Sequence, residues 1–165
     1  MSSPLPNETG APESVAHEAA TPVVRRSHAS VVVNPSKVDL VALRTAVETE
    51  ERATGRAPTQ WFETAAADDG RAAAAAALAS GADVVLVVGG DGTLRVAAEV
   101  LHGTGTPLAL LPTGTGNLYA RNLGLPLHDV GRSVTAAFHG HDRLVDVAFS
   151  ALTSAAGETT EHASP

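Results

Sequence analysis

The sequence predicts an α/β fold, a three-layer α/β/α Rossmann-like parallel sheet. Strand-like and helix-like segments alternate between residues 29 and 149. The strand-like runs, above all Val84-Val85-Leu86-Val87-Val88, are apolar on both faces, as strands sandwiched between helices are. The ends of these runs are rich in Gly, Asn and Thr, beyond what reversing the chain requires. In an open parallel sheet, ligands sit outside the carboxyl ends of the strands, so those ends are where a site is expected.

Residues 1–27 carry Pro4, Pro6, Pro12 and Pro22 among Ser, Glu, Thr and Ala, and read as a disordered leader. Ser30 to Val33 is a β-branched run ended by Asn34-Pro35. Leu40, Leu43 and Val47 then recur at helical spacing, with Asp39 as N-cap and Gly55 as the stop. Thr59 to Glu63, after Pro58, reads as the second strand. Asp68 or Asp69 caps an alanine-rich helix that runs to Ser80 and stops at Gly81. Asp83 to Val88 is the clearest strand. Leu94, Ala97, Ala98 and Leu101 form the next helical stripe, closed by His102-Gly103. Leu108 to Leu111 follows Pro107 as a further buried strand, and Asn117 is placed to cap a short helix through Arg121. Val130, Val134 and Phe138 mark a helix ended by Gly140. Alternation at Val145, Val147 and Phe149 suggests a last strand, and residues 150–165 read as a disordered polar tail.

A chain of 165 residues is about one domain. With few aromatics, its core must be built mainly from Val, Leu and Ala. A formal net charge of −7 argues against nucleic acid as a partner and against purely electrostatic membrane docking, leaving at most peripheral membrane contact. The absence of cysteine excludes disulfides and Cys-ligated zinc. No apolar run is long enough to span a bilayer. Arg25-Arg26 is followed only by Val31-Val32-Val33, too short for an export core, so the location expected is cytoplasmic.

The third strand end, Gly89-Gly90-Asp91-Gly92-Thr93, is the most informative. Its glycines allow positive φ and leave no side chain between backbone and ligand. A helix begins directly after it, so unpaired N–H groups face the loop, as phosphate binding requires. Asp91 suits an anion site only if a cation such as nucleotide-bound Mg²⁺ is present. Thr93 offers a hydroxyl. The fourth end, Pro112-Thr113-Gly114-Thr115-Gly116-Asn117, repeats the pattern. Asp91-Gly92 is also a common tight turn and Asn117 a common helix cap; it is the coincidence of three glycines with a helix start that favours a ligand. Asn34-Pro35-Ser36-Lys37 and Glu63-Thr64 end the first two strands.

These loops resemble those of the catalytic domain of diacylglycerol kinases and their bacterial lipid-kinase relatives, a superfamily shared with sphingosine and ceramide kinases. GGDGT at 89–93 resembles its nucleotide-binding signature, and PTGTGN at 112–117 its second conserved loop. Leu-Tyr-Ala-Arg-Asn-Leu-Gly-Leu-Pro at 118–126 continues the likeness, which covers about residues 29–148. The resemblance implies the NAD kinase/diacylglycerol kinase-like N-terminal fold, with residues 28–149 as the nucleotide-binding domain. It implies ATP and Mg²⁺ as cofactors. Asn34, Pro35, Ser36, Lys37 and Thr64 would lie near the adenosine and phosphates. Gly89, Gly90, Asp91, Gly92, Thr93, Leu94 and Arg95 would wrap the phosphates, with Gly114, Thr115 and Asn117 closing the site. Asp91 would be catalytic, organising Mg²⁺ or assisting proton removal from the acceptor hydroxyl. No side chain is assigned as a protein metal ligand.

Three departures from the family pattern stand out. Lys37-Val38 replaces glycine in the first loop. Arg95-Val96 replaces the Asn-Glu pair that often follows the signature, and Arg95 could pair with phosphate instead. The β-rich second domain that carries the lipid pocket in the family is expected to be absent.

The function implied is that of an ATP-dependent lipid kinase, transferring the γ-phosphate to a lipid alcohol such as diacylglycerol. The alternatives are a truncated, non-catalytic nucleotide-binding module and an NAD kinase-like phosphotransferase, although no Asn-Glu pair is present to read an NAD ribose. A homodimer, or a partner chain supplying the second domain, is compatible with each. A dinucleotide dehydrogenase fits less well, because Tyr119 stands where Gly114-Thr115-Gly116 would require its last glycine. Walker A, G-x-S-x-G and zinc-helix patterns are absent.

Overall fold

A computed structural model describes residues 27–64, 68–153 and 159–164. The leader lies outside the described residues apart from Ser27. In order come β1 (Ala29–Val33), a 3₁₀ turn (Pro35–Lys37), α1 (Leu40–Thr54), β2 (Gln60–Glu63), α2 (Arg71–Ala79) and β3 (Val84–Gly89). They are followed by α3 (Asp91–Leu101), β4 (Leu108–Pro112), α4 (Leu118–Asn122), α5 (Val130–His139), β5 (Ala148–Thr153) and β6 (Thr159–Ser164). Strands β1 to β4 form a parallel four-stranded sheet in the order β2-β1-β3-β4.

The two central strands are the apolar runs of the sequence, and every residue of β1 and β3 is buried. Val31, Val33, Leu86 and Val88 face Leu43 and Val47 of α1 and Val134 and Phe138 of α5. Val32, Val85 and Val87 face Ala73, Ala74 and Ala77 of α2 and Ala97 and Leu101 of α3. Small side chains on α2 let that helix lie close to the sheet. The one hydroxyl buried in β1, Ser30 Oγ, meets Ser80 Oγ at 2.9 Å, so it is not left unpaired.

Two helices of the sheet layers open on side-chain caps, that at Asp39 expected from the sequence. Asp39 Oδ1 accepts the N–H groups of Val41 and Ala42, and Asp129 Oδ1 that of Arg132. Each such cap stabilises its helix by about 1 kcal/mol. The N-cap of α2 is Gly70, not Asp68 or Asp69; those two residues, just before it, both accept the N–H of Arg71. Gly55 closes α1 at φ 68°, the left-handed region that favours glycine.

Three expectations change. Residues 108–111 form an edge strand, and Leu108, Ala109 and Leu110 are only half-buried. The alternation at 144–149 is not a strand of this sheet. Residues 141–147 lack regular structure, and Leu144 is fully exposed. Where a polar tail was expected, β5 and β6 pair antiparallel, from Ala148↔Ser164 to Thr153↔Thr159. Threonine suits a strand once a partner is present, and hydropathy does not register that pairing.

Parallel register sets the site. Val33 pairs with both Glu63 and Val88, and Gly89 pairs with Pro112. The four carboxyl ends are therefore level, and Thr64, Asn34, Gly90 and Thr113 follow them along one edge.

Candidate functional site

The strand ladder continues past the strand ends. Thr64 N–H donates to Val33 O at 2.9 Å, and Thr113 N–H to Gly89 O at 3.0 Å. The first loop closes on itself: Asn34 Oδ1 accepts from Ser36 N at 3.0 Å and Ser36 Oγ at 2.6 Å, and Lys37 N–H donates to Asn34 O. Pro35, Ser36 and Lys37 form the 3₁₀ turn, leaving Ser36 and Lys37 exposed. Thr64 sits against Gly70, where a Cβ would meet Thr64 Cγ2 at 3.2 Å.

The third and fourth loops touch. A Cβ on Gly114 would lie 2.7 Å from Gly90 Cα and 2.9 Å from Asn117 Oδ1. A Cβ on Gly116 would meet Asp91 Oδ2 at 3.1 Å. Thr93 folds back on the strand end, so a Cβ on Gly89 would collide with its Cβ and Oγ1 at 2.7 Å. A Cβ on Gly92 would meet nothing within 4 Å. The expected positive φ is absent: none of Gly89, Gly90, Gly92, Gly114 and Gly116 adopts it, and Gly90 has φ −104°. Close approach of two backbones, not handedness, is what requires glycine at 90 and 114.

Helix α3 begins at Asp91 itself, earlier than the sequence reading had it, so Asp91, Gly92 and Thr93 are its first turn. Its first closing bond runs from Leu94 N–H to Gly90 O, and among the described residues no side chain caps its N-terminus. The opening N–H groups of such a helix have no intrahelical partner and carry the positive end of its dipole.

The cap of α4 expected from Asn117 comes from Asp91 instead. Asn117 is left-handed (φ 48°, ψ 45°) and does not cap α4. The cap comes from Asp91 across the loops: Oδ2 accepts Leu118 N–H at 3.1 Å and Oδ1 accepts Tyr119 N–H at 3.3 Å. Asn117 is 1% exposed; its Nδ2 donates to Gly114 O at 2.6 Å, while Oδ1 has no partner. Arg121 Nε donates to Gly116 O, and Thr115 is exposed on the same loop.

Leu94 is buried and its N–H is taken by Gly90 O. Arg95 is held by Glu99 at 2.7 Å, and Arg71 of α2 bonds the same carboxylate, which is 9% exposed.

On the α1/α5 side, a cavity of about 260 Å³ opens at the same edge. Lys37 and Thr113 line it together with His128, Asp129 and Ser133. The sequence reading missed the last three; only the cap at Asp129 had a local signal. Tyr119 is pushed above the usual phenol range by burial, with Arg143 opposing.

The residues present fit a magnesium–nucleotide. Bare backbone at Gly92 belongs to the first turn of α3, whose N-cap Gly90 offers no side chain; a buried Asn117 Oδ1 lacks a donor, and Asp91 retains unused lone pairs. Among the described residues no helix is long and apolar enough to cross a membrane, and no group of three or more His, Asp or Glu could hold a metal ion unaided.

Residues 28–150 match the family described as the diacylglycerol kinase catalytic domain. The chain is similar to a diacylglycerol kinase of Mycobacterium tuberculosis, 42% identical over 81 residues, covering 49% of this chain and 26% of the relative. It is also similar to a Pseudomonas aeruginosa protein named "Probable lipid kinase YegS-like", 49% identical over 61 residues, covering 36% and 20%. In three dimensions it resembles a diacylglycerol kinase from Bacillus anthracis with TM-score 0.55 and 24% identity, covering 81% of this chain and 45% of that one. That likeness is one of fold. The chain spans about a quarter or less of the length of these curated relatives, and under half of the solved structure. By the extent of its family match, which includes both glycine loops, the chain belongs to the diacylglycerol kinase catalytic-domain family.

Proposed function

We propose that this chain is the ATP-binding part of a lipid kinase that transfers the γ-phosphate to the hydroxyl of a lipid alcohol such as diacylglycerol. The observation that carries the reading is the contact of Gly90 with Gly114, beside an uncapped helix start and open space at Gly92. The free N–H groups of Asp91, Gly92 and Thr93 are suited to bind phosphate oxygens. Thr115 and Asn117 close the loop from the other side, and Asn34 to Lys37 and Thr64 flank it along the sheet edge. Asp91 would face the metal. Mg²⁺, when bound, supplies neutralisation of phosphate charge. Positioning of this kind is most of what phosphoryl transfer asks of a protein.

The test is calorimetry with ATP and Mg²⁺, then assay of phosphorylated lipid from diacylglycerol with and without a second domain from a relative. Saturable ATP binding, with lipid product when the second domain is present, is expected. Absence of ATP binding, or NAD as the better acceptor, would overturn the reading. A nucleotide-binding module without turnover is the second reading; ATP binding without product in either assay would establish it.

A further inference from the structure

We infer that Asp91 is a positioning residue for the fourth loop, besides any part it takes in facing a cation; the ligand side of this inference rests on the nucleotide reading above. The carboxylate stands at the first residue of α3 and accepts both opening N–H groups of α4, at 3.1 and 3.3 Å. Among the described residues the short helix has no other side-chain cap, since Asn117 is turned left-handed and bonds Gly114 O. A single acidic group therefore ties the start of one loop-bearing helix to the start of the other. Gly116 leaves room for it: a Cβ there would lie 3.1 Å from Asp91 Oδ2. The same tie keeps Gly114 against Gly90 and sets where Thr115 stands.

This arrangement has a consequence that a purely metal-facing carboxylate would not have. Without a metal, a carboxylate beside triphosphate repels it, so removing the charge should tighten metal-free ATP binding. If Asp91 holds the fourth loop in place, its removal should weaken metal-free binding instead. The two roles predict opposite signs.

The experiment compares the chain with Asp91→Ala and Asp91→Asn. Amide hydrogen exchange at Leu118 and Tyr119 is measured without nucleotide, with β3 amides as the control for folding. ATP affinity is then measured in EDTA. Exchange at the two α4 amides faster by about tenfold in Asp91→Ala, with β3 protection kept, is the expected result, together with weaker metal-free ATP binding. Asp91→Asn, whose single carbonyl oxygen can replace only one acceptor, should fall between. Gly116→Ala, which crowds the carboxylate but keeps it, should raise the same two exchange rates. Wild-type exchange at Leu118 and Tyr119 in Asp91→Ala, or metal-free ATP binding as tight as or tighter than wild type, would overturn the inference. If wild type binds no ATP at all, the nucleotide reading fails, while the exchange arm still decides the role of Asp91.

Discussion

Gly90 and Gly114, from different loops, meet backbone to backbone: a Cβ on Gly114 would lie 2.7 Å from Gly90 Cα. Neither backbone can yield without moving the end of a sheet strand or the start of α3. Gly114→Ala should therefore lower stability by about 1–3 kcal/mol and separate the loops. Gly90→Val should do the same from the other side, where the nearest approach is 3.2 Å. ATP affinity is expected to fall by more than about tenfold in both. Calorimetry alongside thermal denaturation checks this; unchanged affinity in a destabilised variant would detach the contact from binding.

Gly92 makes the opposite case. It lies in the first turn of α3, its φ is not in the left-handed region, and a Cβ there meets nothing within 4 Å. Gly92→Ala should raise stability by about 0.4–1 kcal/mol by restricting the unfolded chain. The added methyl would occupy the space proposed for phosphate, so ATP affinity should drop. A rise in Tm with a fall in affinity is the expected pair of results. A rise in both would place the phosphates elsewhere.

The sheet and its loops were legible because their signals are local. Apolar β-branched runs gave β1 and β3, Asp39 announced its helix, and the glycine clusters fell on level strand ends. What the sequence could not reveal depends on which segments meet. The cap of α4 comes from Asp91, 27 residues before Leu118, and no spacing rule connects them. Arg95 looked free for phosphate because its partner's second tie, to Arg71, crosses from α3 to α2. The β5–β6 pair was missed because small and polar residues form strands only when an edge is available.

Helix α2 tests the packing reading. Ala77 is fully buried between α2 and the face carrying Val32, Val85 and Val87. Ala77→Leu adds volume at a fully buried position and should cost about 1–3 kcal/mol, although leucine is itself a good helix former. Substitution of exposed Ala75 by Leu should be near neutral. Denaturant unfolding of both separates packing from propensity.

Glu50 couples α1 to α5 and supplies an acid-sensitive contact. Thr135 Oγ1 donates to Glu50 Oε1 at 2.6 Å, and His139 Nε2 lies 2.7 Å from Oε2. The Thr135 hydrogen bond foremost, then that from His139, holds the Glu50 carboxyl below its ordinary value of 4.5, against the opposing effect of burial. A group depressed in the folded state binds more protons when unfolded, so it stabilises the fold above that ordinary value. The contribution fades as pH falls from about 4.5 through the lower folded value. Wild type should therefore lose stability across this acid range more steeply than Glu50→Gln, and the two curves should converge at the acid end. Urea unfolding at pH steps from neutrality downward measures the difference. Parallel curves would show that the α1–α5 contact does not depend on the charge of Glu50.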